Sequence, residues 1–187
     1  MKKFPVLETK NLILRQLTED DANDVFNYFS KDDVFKYYNL NKFTKLKQAE
    51  RLIKHFNKQF FYSKHIRWGI SLKKNNKIIG SCGYHHCDFN VLQKFDYKAE
   101  IGYELTPEYW RKGIMTEALK EIIKYGFKEL KLNRIEALII PENIASRKLV
   151  EKVGFIEEGL LKEYRFENNI FNDYCIYAIL KKNIKIK

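Results

Sequence analysis

The chain has 187 residues, 45% of them hydrophobic, which suits one domain able to bury roughly two-thirds of its unfolded surface without a metal or disulfide staple. Its formal charge is +11, but the excess is lysine scattered along the chain with no block of five like charges, which points to compositional bias rather than a nucleic-acid footprint. Cys82, Cys87 and Cys175 form an odd set without paired spacing, no apolar run reaches the ~18 residues of a membrane span, and the opening residues lack the apolar stretch of a secretory signal; together these predict a disulfide-free, cytoplasmic protein.

In chain order, Leu12, Ile13, Leu14 and Leu17 around Arg15 predict a first strand. Thr18 with Asp21 three residues on reads as a capping box, and Ala22, Val25, Phe26 and Phe29 follow at helical spacing. A second helix is expected from Leu46 to Phe60, with Leu46, Ala49, Ile53, Phe56 and Phe60 as its apolar stripe. Ile66 to Leu72 and Lys77 to Cys87 then read as a hairpin about Asn75-Asn76, followed by a loop from Asp88 to Lys98 and a strand from Ala99 to Leu105. Helical period runs from about Arg111 to Leu130, and Ile135 to Ile140 is a nearly all-apolar run that suits a central strand. A helix from Ile144 to Val153 ends at Gly154, placed as a left-handed C′ residue. Phe155 to Phe166 and Phe171 to Leu180 close the chain as a hairpin about Asn168-Asn169. The order predicts a single α/β domain with a mixed sheet of about seven strands flanked by helices.

Two segments carry chemistry. From Glu100 to Ala118 a strand passes through a short loop into a helix, with Arg111, Lys112 and Gly113 at the junction. The first turn of a helix presents unpaired N–H groups and partial positive charge, and a glycine there admits a ligand close to the backbone, so the junction is suited to phosphate. In the second segment Asn143 is placed to cap a helix whose first turn holds Ser146, beside the end of the buried strand.

Together these segments resemble the GNAT acetyltransferase superfamily, and within it the RimJ/RimL-like branch. The resemblance spans nearly the whole chain: Thr9 to Arg15 is similar to the branch's opening strand, Tyr109 to Ala118 to its cofactor motif, Asn143, Ser146 and Glu151 to Phe155 to its next helix, and Glu158 to Lys162 with Asp173 to Tyr177 to its closing hairpin. It implies a mostly antiparallel sheet in which the strands ending at Leu105 and near Ile140 splay apart around the pantetheine arm of acetyl-CoA. Backbone groups of Glu104, Leu105 and Thr106 would pair with that arm, N–H groups from Arg111, Lys112, Gly113, Ile114, Met115 and Thr116 would hold the pyrophosphate, and Asn143 would contact the cofactor beyond the amide arm. The chain departs from the superfamily motif at Trp110, where Gln or Arg is usual, and at Met115, where Gly or Ala is usual.

The implied reaction moves an acetyl group from acetyl-CoA to a primary amine, either a protein N-terminus or a small molecule such as an antibiotic, polyamine or amino acid. A backbone N–H in the Glu104–Thr106 region would polarise the thioester. Glu100 lies thirteen positions before Gly113, the spacing at which some superfamily members carry a catalytic glutamate, so the resemblance makes it the candidate base acting through water, with Glu104 on the same strand face as its rival. The tyrosine that many members use as an acid is replaced here by Val150, and the branch points instead to Ser146, whose other reading is a helix cap. A non-catalytic acetyl-CoA sensor is the reading from another class. No metal is expected, because His85 and His86 face opposite ways on a strand and zinc spacings are missing. Nucleic acid and membranes are not expected partners, and a homodimer is left open.

Overall fold

The computed structural model describes residues 3–37, 41–62, 65–85, 97–167 and 169–184. Eight strands form one sheet: β1 (Leu7–Glu8), β2 (Leu12–Arg15), β3 (Ile66–Leu72), β4 (Ile78–His85), β5 (Lys98–Leu105), β6 (Arg134–Ile139), β7 (Ile156–Glu167) and β8 (Ile170–Leu180). Their order across the sheet is β1-β2-β3-β4-β5-β6-β8-β7, and every neighbouring pair is antiparallel except β5 and β6. This is the expected mixed α/β sheet with one strand more: β1 has two residues, too few to show a period. The helices are α1 (Ala22–Phe29), a short α2 (Asp32–Phe35), α3 (Leu46–Phe61), α4 (Ile114–Lys128) and α5 (Ile144–Lys152). Among the described residues no helix is long and apolar enough to cross a membrane.

Local chemistry explains the element edges. Asp21 accepts from the Thr18 N–H at 2.8 Å and its hydroxyl at 3.2 Å, so the capping box forms, and it opens a single 3-10 turn (Glu19–Asp21) that leads into α1. Arg15 binds the same carboxylate twice, at 2.7 and 2.8 Å, which pins α1 to the end of β2. Gly154 adopts φ +103°, as a C′ glycine should, and Asn169 adopts φ +64° in the last hairpin, whose Asn168 lies outside the described residues.

The two faces of the sheet carry separate cores. Leu12, Trp68, Tyr84, Ile101, Ile135 and Tyr177 pack with Leu119, Ile122 and Phe127 of α4 and Val150 of α5. On the other side Leu17 and Ile78 pack with Val25 and Phe29 of α1 and Ile53 and Phe56 of α3. The expected stripe of α3 is buried except at Leu46, which is 38% exposed at the helix start. Glu117 anchors the sheet edge: its carboxylate takes the Thr9 hydroxyl at 2.5 Å, the Asn11 N–H at 2.8 Å and the Asn11 side-chain amide at 2.9 Å, fastening the β1–β2 turn to α4.

Candidate active site

The site begins where the sheet stops being a sheet. β5 and β6 pair only at Lys98↔Arg134, Ala99↔Ile135 and Glu100↔Glu136, yet β5 runs on to Leu105 and β6 to Ile139. The two strands therefore diverge into a wedge whose closed end lies at Glu100. Thr106 donates its N–H to the Ile79 carbonyl at 2.8 Å. Antiparallel ladder bonds alternate, so the Glu104 amide also turns to β4, while those of Tyr103 and Leu105 turn into the wedge. The Leu105 carbonyl accepts from the Trp110 indole at 2.6 Å, which fixes the end of β5 against the loop to α4. Trp110, a departure from the superfamily motif, is thus engaged with the strand that precedes it.

Helix α4 starts three residues later than its period suggests. Arg111 at φ +58° and Gly113 at φ +77° turn the chain, and the first helical bond runs from the Glu117 N–H to the Gly113 carbonyl at 3.0 Å. The amides of Ile114, Met115 and Thr116 therefore have no partner within the helix, and no side chain caps them. A Cβ built on Gly113 would meet nothing within 4 Å, so the approach to this turn is open. Arg111 and Lys112 are exposed beside it, whereas Met115 is 7% exposed and points into the core, which is why a large residue at that position leaves the turn clear.

The two candidate carboxylates differ sharply in setting. Glu104 is buried and bound to the Arg67 guanidinium and the Ser81 hydroxyl. Arg67 lies over the Phe56 ring, 5.6 Å from its centre, and its Nη1 is 3.1 Å from His85 Nε2. Glu100, on the same face, is half-buried at the closed end of the wedge, with both carboxylate oxygens 3.3 Å from Arg165 Nη2. It opens on a cleft of about 230 Å³ walled by Lys98, Glu136, Leu138, Tyr164, Arg165 and Ile176. Burial opposes the Arg165 charge, but Glu100 beside it keeps the guanidinium pKa above the usual arginine range. Trp68, Tyr84 and Phe60 are core, while Phe61 and Tyr62 are exposed. His86, Cys87 and the expected loop up to residue 96 lie outside the described residues.

On the far side of the wedge, Asn143 caps α5 by accepting the Ser146 N–H at 3.1 Å. The Ser146 hydroxyl is turned away from the cap and meets the Tyr103 hydroxyl at 2.5 Å. Burial pushes the Tyr103 phenol well above its ordinary pKa, with the Ser146 contact pulling weakly the other way. Val150 is fully buried in the core. Tyr103 of β5 thus meets Ser146 at the start of α5, and Trp110 meets the end of β5, while Glu100 lies on the opposite face of β5 from Tyr103.

Two residues at this site were not singled out from sequence. Tyr103 shares a face of β5 with Ile101 and Leu105, so a polar tip on an apolar face was the available signal. Arg165 had none: the β7 register shifts between Leu161 and Arg165, with Glu163 at φ +48°, and such a bulge re-aims a side chain.

The chain matches the acetyltransferase (GNAT) domain family over residues 11–156. YoaA of Bacillus subtilis (strain 168), described as an uncharacterized N-acetyltransferase, is 40% identical over 178 residues, covering 95% of this chain and 98% of its own. The crystal structure of a GNAT-family acetyltransferase from Bacillus anthracis is 30% identical and superposes with a TM-score of 0.81 over 95% of this chain and 99% of its own. That of ribosomal-protein-S5-alanine acetyltransferase from Vibrio fischeri is 25% identical, with a TM-score of 0.80 over 98% and 99%. With the family match over most of the chain and relatives aligned along nearly all of it, the protein belongs to the GNAT family and is an N-acetyltransferase.

Proposed function

We propose that this enzyme moves the acetyl group of acetyl-CoA to a protein N-terminal amine, in the cytoplasm. The observation that carries the donor site is the divergence of β5 from β6 beyond Glu100 and Glu136, which opens toward an uncapped helix start. The pyrophosphate would rest on the amides of Gly113 to Thr116, with Arg111 and Lys112 adding positive charge beside them. The pantetheine arm would lie along β5. Of Glu104, Leu105 and Thr106, Leu105 turns its N–H into the wedge, and that donor would polarise the thioester carbonyl, an interaction worth a few kcal/mol of barrier. Asn143 would contact the cofactor beyond the amide arm with its Nδ2, since its oxygen serves the cap.

Glu100 would take the proton of the attacking amine through a water, from the face that holds the cleft. Glu104, its rival, is bound in a buried ion pair with Arg67, and removing it from that role would leave Arg67 uncompensated. Ser146 would donate a hydrogen bond to the leaving sulfur. The cleft walls carry two carboxylates, Glu100 and Glu136, and two cations, Lys98 and Arg165. That balance suits an acceptor with one ammonium beside amide carbonyls, as at a peptide N-terminus, better than a polycation. The solved relative that acts on a ribosomal-protein alanine supports the same class.

Thermal unfolding with and without acetyl-CoA tests the donor site, and thiol release across a panel of N-terminal peptides and small amines tests the acceptor. We expect a raised midpoint with acetyl-CoA and turnover with peptides. An unmoved midpoint overturns the donor site. A raised midpoint without turnover on any amine favours a sensor, and turnover confined to small amines moves the acceptor class.

A further inference from the structure

Acetyl transfer leaves a thiolate, and the hydroxyl proposed above to meet it is that of Ser146. A serine hydroxyl rotates freely about its C–O bond, so its value as a donor depends on what fixes its direction. Tyr103 is placed to do that. It sits on β5, its ring packs against the larger core, and its hydroxyl reaches Ser146 Oγ at 2.5 Å, with the Ser146 carbonyl at 3.4 Å. A rigid ring with one polar tip thus links β5 to the first turn of α5.

We propose that Tyr103 is a positioning residue: its hydroxyl donates to Ser146 Oγ, which turns the serine proton toward the sulfur of CoA. When the C–S bond breaks, the electron pair stays on sulfur and is stabilised by the serine O–H. The proton lost by the attacking amine returns to sulfur through solvent, and both hydroxyls keep their own protons. Burial suits the phenol to this task, because it stays neutral and remains a donor through the working pH range. Two linked hydroxyls polarise one another, so the outer bond to sulfur gains from the inner one. This inference rests on the Ser146 role proposed above.

The pKa of the CoA thiol bound to the enzyme reads this arrangement without an acceptor amine. It is followed by thiolate absorbance in the ultraviolet, with desulfo-CoA complexes as blanks. We expect the wild type to hold the bound thiol below its free value. Ser146→Ala should raise it by roughly one unit and Tyr103→Phe by roughly half a unit. Tyr103→Phe in the Ser146→Ala background should add nothing, while desulfo-CoA affinity stays within about twofold, since a tyrosine that acts only through the serine has nothing further to lose. A ring-fluorinated tyrosine at position 103, a stronger donor of the same shape, should lower the thiol pKa below wild type, and it supplies the test if Tyr103→Phe fails to fold. If Ser146→Ala moves the thiol but neither change at Tyr103 does, or if the Tyr103 effect persists without Ser146, the positioning role is overturned alone. A thiol unmoved by Ser146→Ala overturns the serine role and this inference with it.

Discussion

At the scale of single residues, identical chemistry is separated by setting. Glu100 and Glu104 share a strand face, but only Glu100 borders the cleft, and only Glu104 is buried against Arg67. A positioned base contributes about 10²–10⁴-fold to a rate, so Glu100→Gln is expected to lower kcat by at least about 10²-fold with acetyl-CoA affinity kept within twofold. Steady-state kinetics and calorimetric titration with CoA check this, and a kcat within threefold of wild type removes Glu100 from the base role. A second residue inverts a general rule. Replacing a helical glycine by alanine usually stabilises by about 0.5–1 kcal/mol. At Gly126 in α4, a Cβ would lie 2.4 Å from the Tyr84 hydroxyl, which is buried and donates to the Ile122 carbonyl at 2.6 Å. The hydroxyl would have to move, so Gly126→Ala is expected to destabilise by about 1–3 kcal/mol in urea unfolding. Tyr84→Phe in the same chain should recover part of that loss, and a more stable Gly126→Ala protein would show that the helix yields instead.

At the scale of elements, periodicity made α1, α3, α4, α5 and most strands legible, because each buries one face for long enough to repeat. β1, with two residues, and α2, with four, are too short to repeat anything, and both exist through contacts made elsewhere. β1 pairs with β2, and the turn between them is held by Glu117 from α4, while Lys31, just before α2, reaches Glu108 beyond β5. The local geometry of the candidate site was legible where it follows strand alternation and helix ends, as in the shared face of Glu100 and Glu104, the turn at Gly113 and the Asn143 cap. It was not legible where a bulge decides direction, as at Arg165, or where a contact crosses the wedge, as between Tyr103 and Ser146. The start of α4 gives a prediction at this scale. A side chain at Gly113 enters open space but pays for φ +77°, and a carboxylate there would also oppose the pyrophosphate. Gly113→Gln carries the same bulk and strain without the charge. We expect Gly113→Glu to bind acetyl-CoA at least tenfold more weakly than Gly113→Gln at low salt, with the ratio shrinking as salt rises. Equal affinities for the two variants would place the pyrophosphate elsewhere.

At the scale of the molecule, charge sets how the fold responds to acid. Several carboxylates are held below their ordinary pKa. Burial opposes ionisation of Asp21, but the Arg15 bonds and the Thr18 N–H outweigh it; burial likewise opposes Glu117, outweighed by Thr9 and Asn11; Arg134 bonds hold Glu158 down at the surface. A carboxylate whose folded pKa is depressed contributes stability that is fully present above its unfolded value, near pH 4, and is lost as pH falls through the folded value. Each proton taken up also adds to a chain that already carries +11 at neutral pH, so self-repulsion grows as the ion pairs are lost. Both terms act in the same direction, and the urea midpoint is expected to hold between pH 7 and 5 and to drop steeply between pH 4 and 2.5. Asp21→Asn removes the most constrained of these groups, because its two bonds to Arg15 and two to Thr18 tie β2 to α1. That variant should be less stable at pH 7 and should show a shallower acid drop than the parent, so the two curves converge below pH 3. Parallel curves with a constant gap would mean that the Arg15–Asp21 pair acts through its shape and not through its charge.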